Sequence, residues 1–533
     1  MRVYSGIFAL LLLLFASCEG ERGGGSGDEV RQPVIRLSEK NTGAFDACFY
    51  VDMIYCSSLS WKVSSGGYST EGYRDGFDES LVGFRWELFL DGLEPRTEYC
   101  LEVVGSNAGA RSAPQTLTFV TGAGPQGPGG DNGASEDLYP WEKSRTGVPS
   151  VADLTLISGG HHNSNPPAWT VSRMSSHVVF RDENDTPHWL FDAFLFIDGN
   201  DALTGRTLVL GNGLHSADQA CWTRQLEFWL GPDGVAKTLD AAVASSGLGK
   251  PSRPRYVIMS IPDPIRYEYF SDKSSSTTYW GSVNGSILDF SNPEDQIKAC
   301  IWFVDKAREM FAQLELKNVE LLGFYVLSEE LPLSPAFYES VGKRPVTVER
   351  DGEDDTFNWQ YKNWEIIVPA VADYVHNCRE GLYWIPYFLA PGARVWKELG
   401  FDACFMQPNH YWDTANQHPM NKTIGAIRNS AGMGMELEFE YTLVYDIMKD
   451  GRTGPDSAGN PTFTYADIPA LWGRLGEYMS SFSEYGFYGE RPLALYSGTD
   501  ALHQLASSKE ASDREKYLSI GNYIINSPLK NSR

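Results

Sequence analysis

From about residue 148 the chain repeats one pattern: a short apolar run rich in β-branched residues, then a longer stretch with apolar positions at helical spacing. Apolar runs without polar alternation suit strands buried on both faces, as in parallel sheets covered by helices. Eight strand candidates follow in order: "DLTLIS" (153–158), "WLFDAFLFI" (189–197), "RYVIMSI" (255–261), "VELLGFYVL" (319–327), "LYWIPYF" (382–388), "DACFMQ" (402–407), "GMELEFE" (434–440) and "PLALYS" (492–497). Between them lie amphipathic stretches such as 294–316 and 465–486. Eight such units over about 380 residues predict an α/β fold, a (β/α)8 barrel of the TIM type with long insertions over 148–530. "RTLVLG" (206–211) is a ninth strand candidate.

A barrel directs attention to the carboxyl ends of its strands, where such folds keep their working residues. The sequence puts His161 after strand one, Asp198 after strand two, Asp263 after strand three, Glu329 and Glu330 after strand four, and Tyr387 at the end of strand five. Strand six runs into "QPNHYWD", with Gln407, Asn409, His410, Tyr411 and Trp412. Strand seven carries Glu436, Glu438 and Glu440 at every second position, between Met435, Leu437 and Phe439, so the three acids share a face. Acids on a half-exposed strand would alternate in the same way; seventh place in a barrel turns them inward.

Carboxylates at the ends of strands four and seven suit glycoside hydrolysis, in which one acid protonates the leaving oxygen and a second carboxylate attacks or activates water. Glu329 is expected as the acid and Glu438 as the nucleophile or base, with Glu436 deeper in the barrel tuning it. Crowded carboxylates cannot all ionise cheaply, so at least one holds its proton near neutral pH. Glu330, Glu440, Gln407, Asn409, His410, Asp198, Asp263 and His161 are expected to bind the substrate. The rings of Tyr325, Tyr387, Tyr411 and Trp412 are expected to stack on sugar faces.

No cofactor is expected, since no GxGxxG follows a strand, and nucleophilic serine chemistry lacks its GxSxG elbow. A divalent metal is the competing use of the same groups, although His161 and His162 would point to opposite faces of a strand and no HxH or HExxH spacing occurs. The formal net charge of −25 and the lack of a basic run exclude a groove for nucleic acid.

Residues 1–18 read as a secretory signal: Arg2, a short apolar stretch, then "FASC", which resembles a bacterial lipobox. Cys18 is therefore expected to carry lipid and to tether a secreted protein at the cell envelope, on the outer membrane. Residues 19–32 read as a flexible tether and 122–147 as a Gly/Pro-rich linker. Between them, 33–121 alternates apolar and polar residues and ends in "LDGLEPRTEYCLEVVGSNAGARSAPQTLTFVTG", which resembles a small all-β fibronectin type III sandwich with the role of a spacer. The seven cysteines besides Cys18 are scattered and form no disulfide framework.

The ordered motifs "GFYVLSEE" (323–330), "WIPYF" (384–388), "GFDACFMQPNHYW" (400–412) and "GMGMELEFEY" (432–441) resemble domain-of-unknown-function family 4855, common in gut Bacteroidetes, over about 150–530. The resemblance implies a barrel like those of glycoside hydrolases and marks Glu329, Gln407, Asn409, Glu436, Glu438 and Glu440. Val326 stands where the family often has Trp. The resemblance implies no particular substrate. The expectation is a lipoprotein that cleaves an oligo- or polysaccharide. Its alternatives are a non-catalytic glycan-binding lipoprotein and a metal-dependent hydrolase.

Overall fold

The computed structural model describes residues 32–42, 47–66, 68–75, 77, 82–90, 93–94, 96–121, 151–161, 168–211, 213–342, 363–388, 390–413, 420–429, 432–455 and 461–531. The signal and Cys18, nearly all of the tether, the 122–147 linker and His162 lie outside them. The chain forms two compact units, one from Met1–Leu90 with Pro95–Gly122, the other from Asp91–Glu94 with Ala123–Arg533.

The first unit holds two antiparallel sheets. One joins Val34–Thr42, Ala47–Ile54 and Val82–Leu90; the other joins Ser58–Ser65, Tyr68–Asp75, Glu98–Asn107, Ala110–Arg111 and Gln115–Val120. Alternate residues such as Phe49, Val51, Leu59, Val63, Leu101 and Val103 are buried, the pattern a strand shows when one face meets a core. Tyr99 is buried and stacks on Phe119 with ring centres 5.6 Å apart.

The second unit is a closed barrel of eight parallel strands: β1 Asp153–Ser158, β2 Ala193–Ile197, β3 Arg255–Ile261, β4 Val319–Val326, β5 Gly381–Trp384, β6 Ala403–Met406, β7 Gly434–Glu438 and β8 Leu493–Tyr496. Each strand pairs with the next, and Leu493 opposite Asp153 closes the ring between β8 and β1. Its main helices are α1 Val171–Val178, α2 Gln219–Leu230, α3 Val235–Ala244, α4 Pro293–Gln313, α5 Trp364–Asn377, α6 Met420–Asn429, α7 Ile468–Glu484, α8 Ala501–Ser507 and α9 Ala511–Ile525. Local sequence sets where several begin. The Thr170 hydroxyl accepts from Arg173 N ahead of α1 and Asp218 accepts from Cys221 N ahead of α2, while α4 opens with an Asn292 cap, Pro293 and two acids in its first turn.

All seven residues of β3 are buried, as a strand with the barrel core on one side and helices on the other must be. The strands fall in the expected order with shorter ends. β2 starts at Ala193 because Pro187–Trp189 pairs instead with Val179–Arg181 in a separate ribbon. β5 stops at Trp384, two residues before Pro386, which has no N–H for a ladder. β7 ends at Glu438, so Glu440 lies beyond the strand and leads into the turn Tyr441–Leu443. The ninth candidate, 206–211, is no barrel strand: Thr207 forms single bridges to Asn200 and Ser216. The segment crosses the carboxyl end of the barrel, held by Asp263 Oδ2, which accepts from Leu210 N at 2.8 Å.

Gly323, in the "GFYV" motif, lies opposite Gly381 where β4 pairs with β5: a Cβ there would stand 2.0 Å from the Gly381 carbonyl oxygen. Backbone cannot swing aside as a side chain can. Gly323→Ala is therefore expected to destabilise the barrel by about 1–3 kcal/mol or more, read as a fall in the urea midpoint. At the amino end of the barrel Lys530 Nζ donates to Asp153 Oδ2 at 2.6 Å and stands 3.6 Å from Asp192, which also meets Arg255 at 3.1 Å. Among the described residues no disulfide forms, and no helix is long and apolar enough to cross a membrane.

Candidate active site

A cleft of about 630 Å³ opens at the carboxyl end of the barrel. Its wall takes Ser158 from β1, Ile197 and Asp198 at the end of β2, and the segment Val209–Gly211. Tyr325, Ser328, Glu329 and Glu330 come from β4 and the turn after it, Gln407 from beyond β6, Glu436 from β7 and Tyr496 from β8. Of the sequence-derived candidates, Glu329, Glu330, Glu436, Gln407, Tyr325 and Asp198 therefore meet in one cavity.

Burial separates the acids. Glu329 is exposed and Glu330 half-buried. Glu436 lines the cleft yet is only 2% exposed, and its Oε1 is buried without a hydrogen-bond partner. Burial pushes its carboxyl well above the ordinary range, and the charges of Glu438 and Glu329 push it further. Glu438 has no exposed surface. Its Oε2 accepts from Tyr478 Oη at 2.6 Å and from Asn409 N at 2.7 Å. Burial raises Glu438 to about 8, although those donors and the Gln407 carboxamide pull it down.

The partnering of Glu438 leaves its second oxygen beside Gln407 in need of a donor. Both donors sit on Oε2, while Glu438 Oε1 and Gln407 Oε1 are each buried without a partner. A proton on Glu438 Oε1, or the opposite orientation of the Gln407 amide, supplies the missing donor. Either way, Gln407 serves Glu438 as well as the cleft.

Other expected ligands are built into the walls. Asp263 accepts from Ser328 Oγ at 2.5 Å and from Leu210 N, so it braces two cleft-lining segments. His161 Nδ1 lies against Asp198 Oδ2, and Gly159 leaves room for it: a Cβ there would stand 1.9 Å from that oxygen. His410 turns to the helix side, Nε2 meeting Glu477 at 2.5 Å. Tyr411 is fully buried with its hydroxyl 2.9 Å from Thr442 Oγ1, so it is packing rather than a sugar platform. Asn409 contributes its backbone, with φ of 55°. Glu440 Oε1 accepts from Tyr496 Oη at 3.1 Å, and burial raises its carboxyl. Trp412 is half-buried edge-on to Tyr496, ring centres 5.8 Å apart, and Tyr387 is half-buried against Phe388. Among the described residues no three His, Cys, Asp or Glu side chains are grouped to hold a metal ion.

Sequence reasoning missed Tyr478 and Tyr496. Tyr496 ends β8, so its position was a usable signal; Tyr478 lies on the buried stripe of α7, where a ring reads as core.

No curated protein matches the chain significantly. Among solved structures, a computationally redesigned β-sandwich protein is 20% identical over 18% of this chain and 98% of its own, with a TM-score of 0.14. The fn3 domain of human collagen alpha-1(XX) chain is 18% identical over 21% of this chain and 99% of its own, with a TM-score of 0.15. Likenesses of that size carry no argument about the chain. The profile of one family matches residues 153–344 and 353–452, more than half of the sequence and seven of the eight barrel strands. The chain thus belongs to the family described as Domain of unknown function (DUF4855).

Proposed function

We propose that the barrel is a glycoside hydrolase in which Glu436, rather than Glu329, is the general acid. The observation that carries this is Glu436 itself: a carboxyl lining the cleft, almost fully buried, with an unpartnered oxygen and two acidic neighbours that favour its protonated form. Its proton passes to the glycosidic oxygen as the bond from that oxygen to the anomeric carbon breaks. Glu329, solvated in the same cleft, supplies the second carboxylate, which attacks that carbon or takes a proton from the attacking water. Glu438 lies behind them without reaching the cleft surface; once charged, it helps hold the proton on Glu436.

Two carboxyls in different environments are how one site holds an acid and a base at the same pH. Relative to the roles expected from sequence alone, the acid role passes from Glu329 to Glu436, the nucleophile or base role from Glu438 to Glu329, and the tuning role from Glu436 to Glu438. The antiparallel sheets of the first unit are assigned the role of a fibronectin-like spacer, and Cys18 that of the lipid anchor at the cell envelope.

The test is release of new reducing ends from a panel of plant, host and microbial glycans by purified protein, with and without chelator. Hydrolysis that survives chelation and is lost in Glu436→Gln and in Glu329→Gln is the expected result. Saccharide binding with no released ends from any glycan would move the protein to the capture reading. Loss of activity on chelation would move it to the metal reading. Labelled fatty acid incorporated by the wild type and absent from Cys18→Ser is expected for the anchor.

A further inference from the structure

Tyr478 belongs to α7, outside the ring of strands, and is fully buried. A buried Tyr on an amphipathic helix normally needs one hydrogen bond for its hydroxyl. This one has three. Its Oη accepts from His410 N at 2.9 Å and from Tyr411 N at 2.8 Å, and donates to Glu438 Oε2 at 2.6 Å. The preceding N–H, of Asn409, goes to the same carboxylate oxygen at 2.7 Å.

Three successive backbone N–H groups thus converge on one phenol–carboxyl pair. The left-handed φ of 55° at Asn409 gives that turn its concave form, the arrangement in which successive N–H groups cradle negative charge. Two N–H donors on the phenol oxygen polarise its O–H and strengthen the bond it gives to Glu438. The hydroxyl is also anchored to the loop after β6, so it cannot follow the carboxylate elsewhere.

We propose that Tyr478 is a positioning residue of the cleft: with the backbone at Asn409–Tyr411 it clamps Glu438 in one rotamer and governs when Glu438 takes up its charge beside Glu436. This rests on Glu436 and Glu438 forming the acid side of the hydrolase site. The ionisable groups facing Glu438 are Glu436 on the same strand, Glu329 after β4, Tyr478 on α7 and Tyr496 on β8. Of these, Tyr478 alone is shown donating to its carboxylate among the described residues. A donor to the charged form favours that form, so its removal delays ionisation to higher pH.

The experiment follows the protonated-carboxyl stretch of Glu438 against pH by infrared difference spectroscopy, assigned by its loss in Glu438→Gln. In Tyr478→Phe the midpoint is expected to rise by about one to two pH units, as loss of a hydrogen bond to a charged group implies. Should Tyr478→Phe fail to fold, 3,5-difluorotyrosine at position 478 keeps the ring and acidifies the phenol; a stronger donor is expected to move the midpoint down. A midpoint unmoved in the difluorotyrosine protein, or in a folded Tyr478→Phe, overturns the proposal. The readout needs no substrate, so a protein that cleaves no glycan but shows these shifts would overturn the hydrolase reading and leave the clamp standing.

Discussion

Glu436→Gln is expected to slow hydrolysis of the natural glycan by about 10²–10⁴-fold while scarcely affecting an aryl glycoside with a highly acidic leaving group. The difference between the two substrates is the informative part. A sugar hydroxyl is a poor leaving group and needs a proton as the bond breaks; a dinitrophenolate leaves without one. Glu329→Gln, by contrast, removes the attacking or water-activating carboxylate, which both substrates need, and is expected to slow both. The comparison is made from kcat/KM on each substrate, with circular dichroism to confirm that the variants fold. An equal loss on both substrates in Glu436→Gln would take the acid role from it and return that role to Glu329.

Glu438→Gln is expected to make the protein more stable at alkaline pH and to leave it unchanged near pH 4. Burial raises the Glu438 carboxyl from 4.5 to about 8. Between those values the folded chain holds a proton that the unfolded chain releases. The stabilisation is complete below about pH 4.5, falls as pH rises through the window, and is gone above about pH 8. The full effect is of the order of a few kcal/mol. Asp153, pushed up to about 6 chiefly by burial, acts in the same direction over a lower window. Gln cannot ionise and still offers an oxygen to Tyr478 and Asn409. Melting temperatures taken from pH 4 to pH 9 should therefore fall more steeply for the wild type than for the variant, with several degrees between them at pH 8.5. A variant that melts lower at pH 8.5 would mean that the Glu438 charge is well compensated in the fold.

The barrel was legible because doubly buried strands need apolar runs, and β3, buried at all seven positions, carries one from Tyr256 to Met259. Their exact ends were not, because Pro386 and the ribbon at Pro187–Trp189 override apolar character locally. The three glutamates were legible as one set, since alternation puts them on one face. Alternation does not say which of them meets the cavity: Glu436 lines it, Glu438 is covered by the loop after β6 and by α7, and Glu440 has left the strand. His410 and Tyr411 sit in a motif rich in cleft-type residues, but the turn at Asn409 sends their side chains to Glu477 and Thr442. Tyr478 could not be singled out from its own sequence, because its role depends on donors that lie 67 and 68 positions away.

The seam between β8 and β1 has a consequence for biogenesis. Every other strand of the ring can pair with the one made just before it, but β1 must wait for the last strand to find its second neighbour, and Asp153 must wait for Lys530. Until then two apolar parallel edges lie open at once, the kind of surface that recruits strands from other chains. An emerging barrel of this design stays vulnerable for nearly the whole time of its synthesis, so its yield should depend on chaperones that shield β1 more than on the stability of the finished ring.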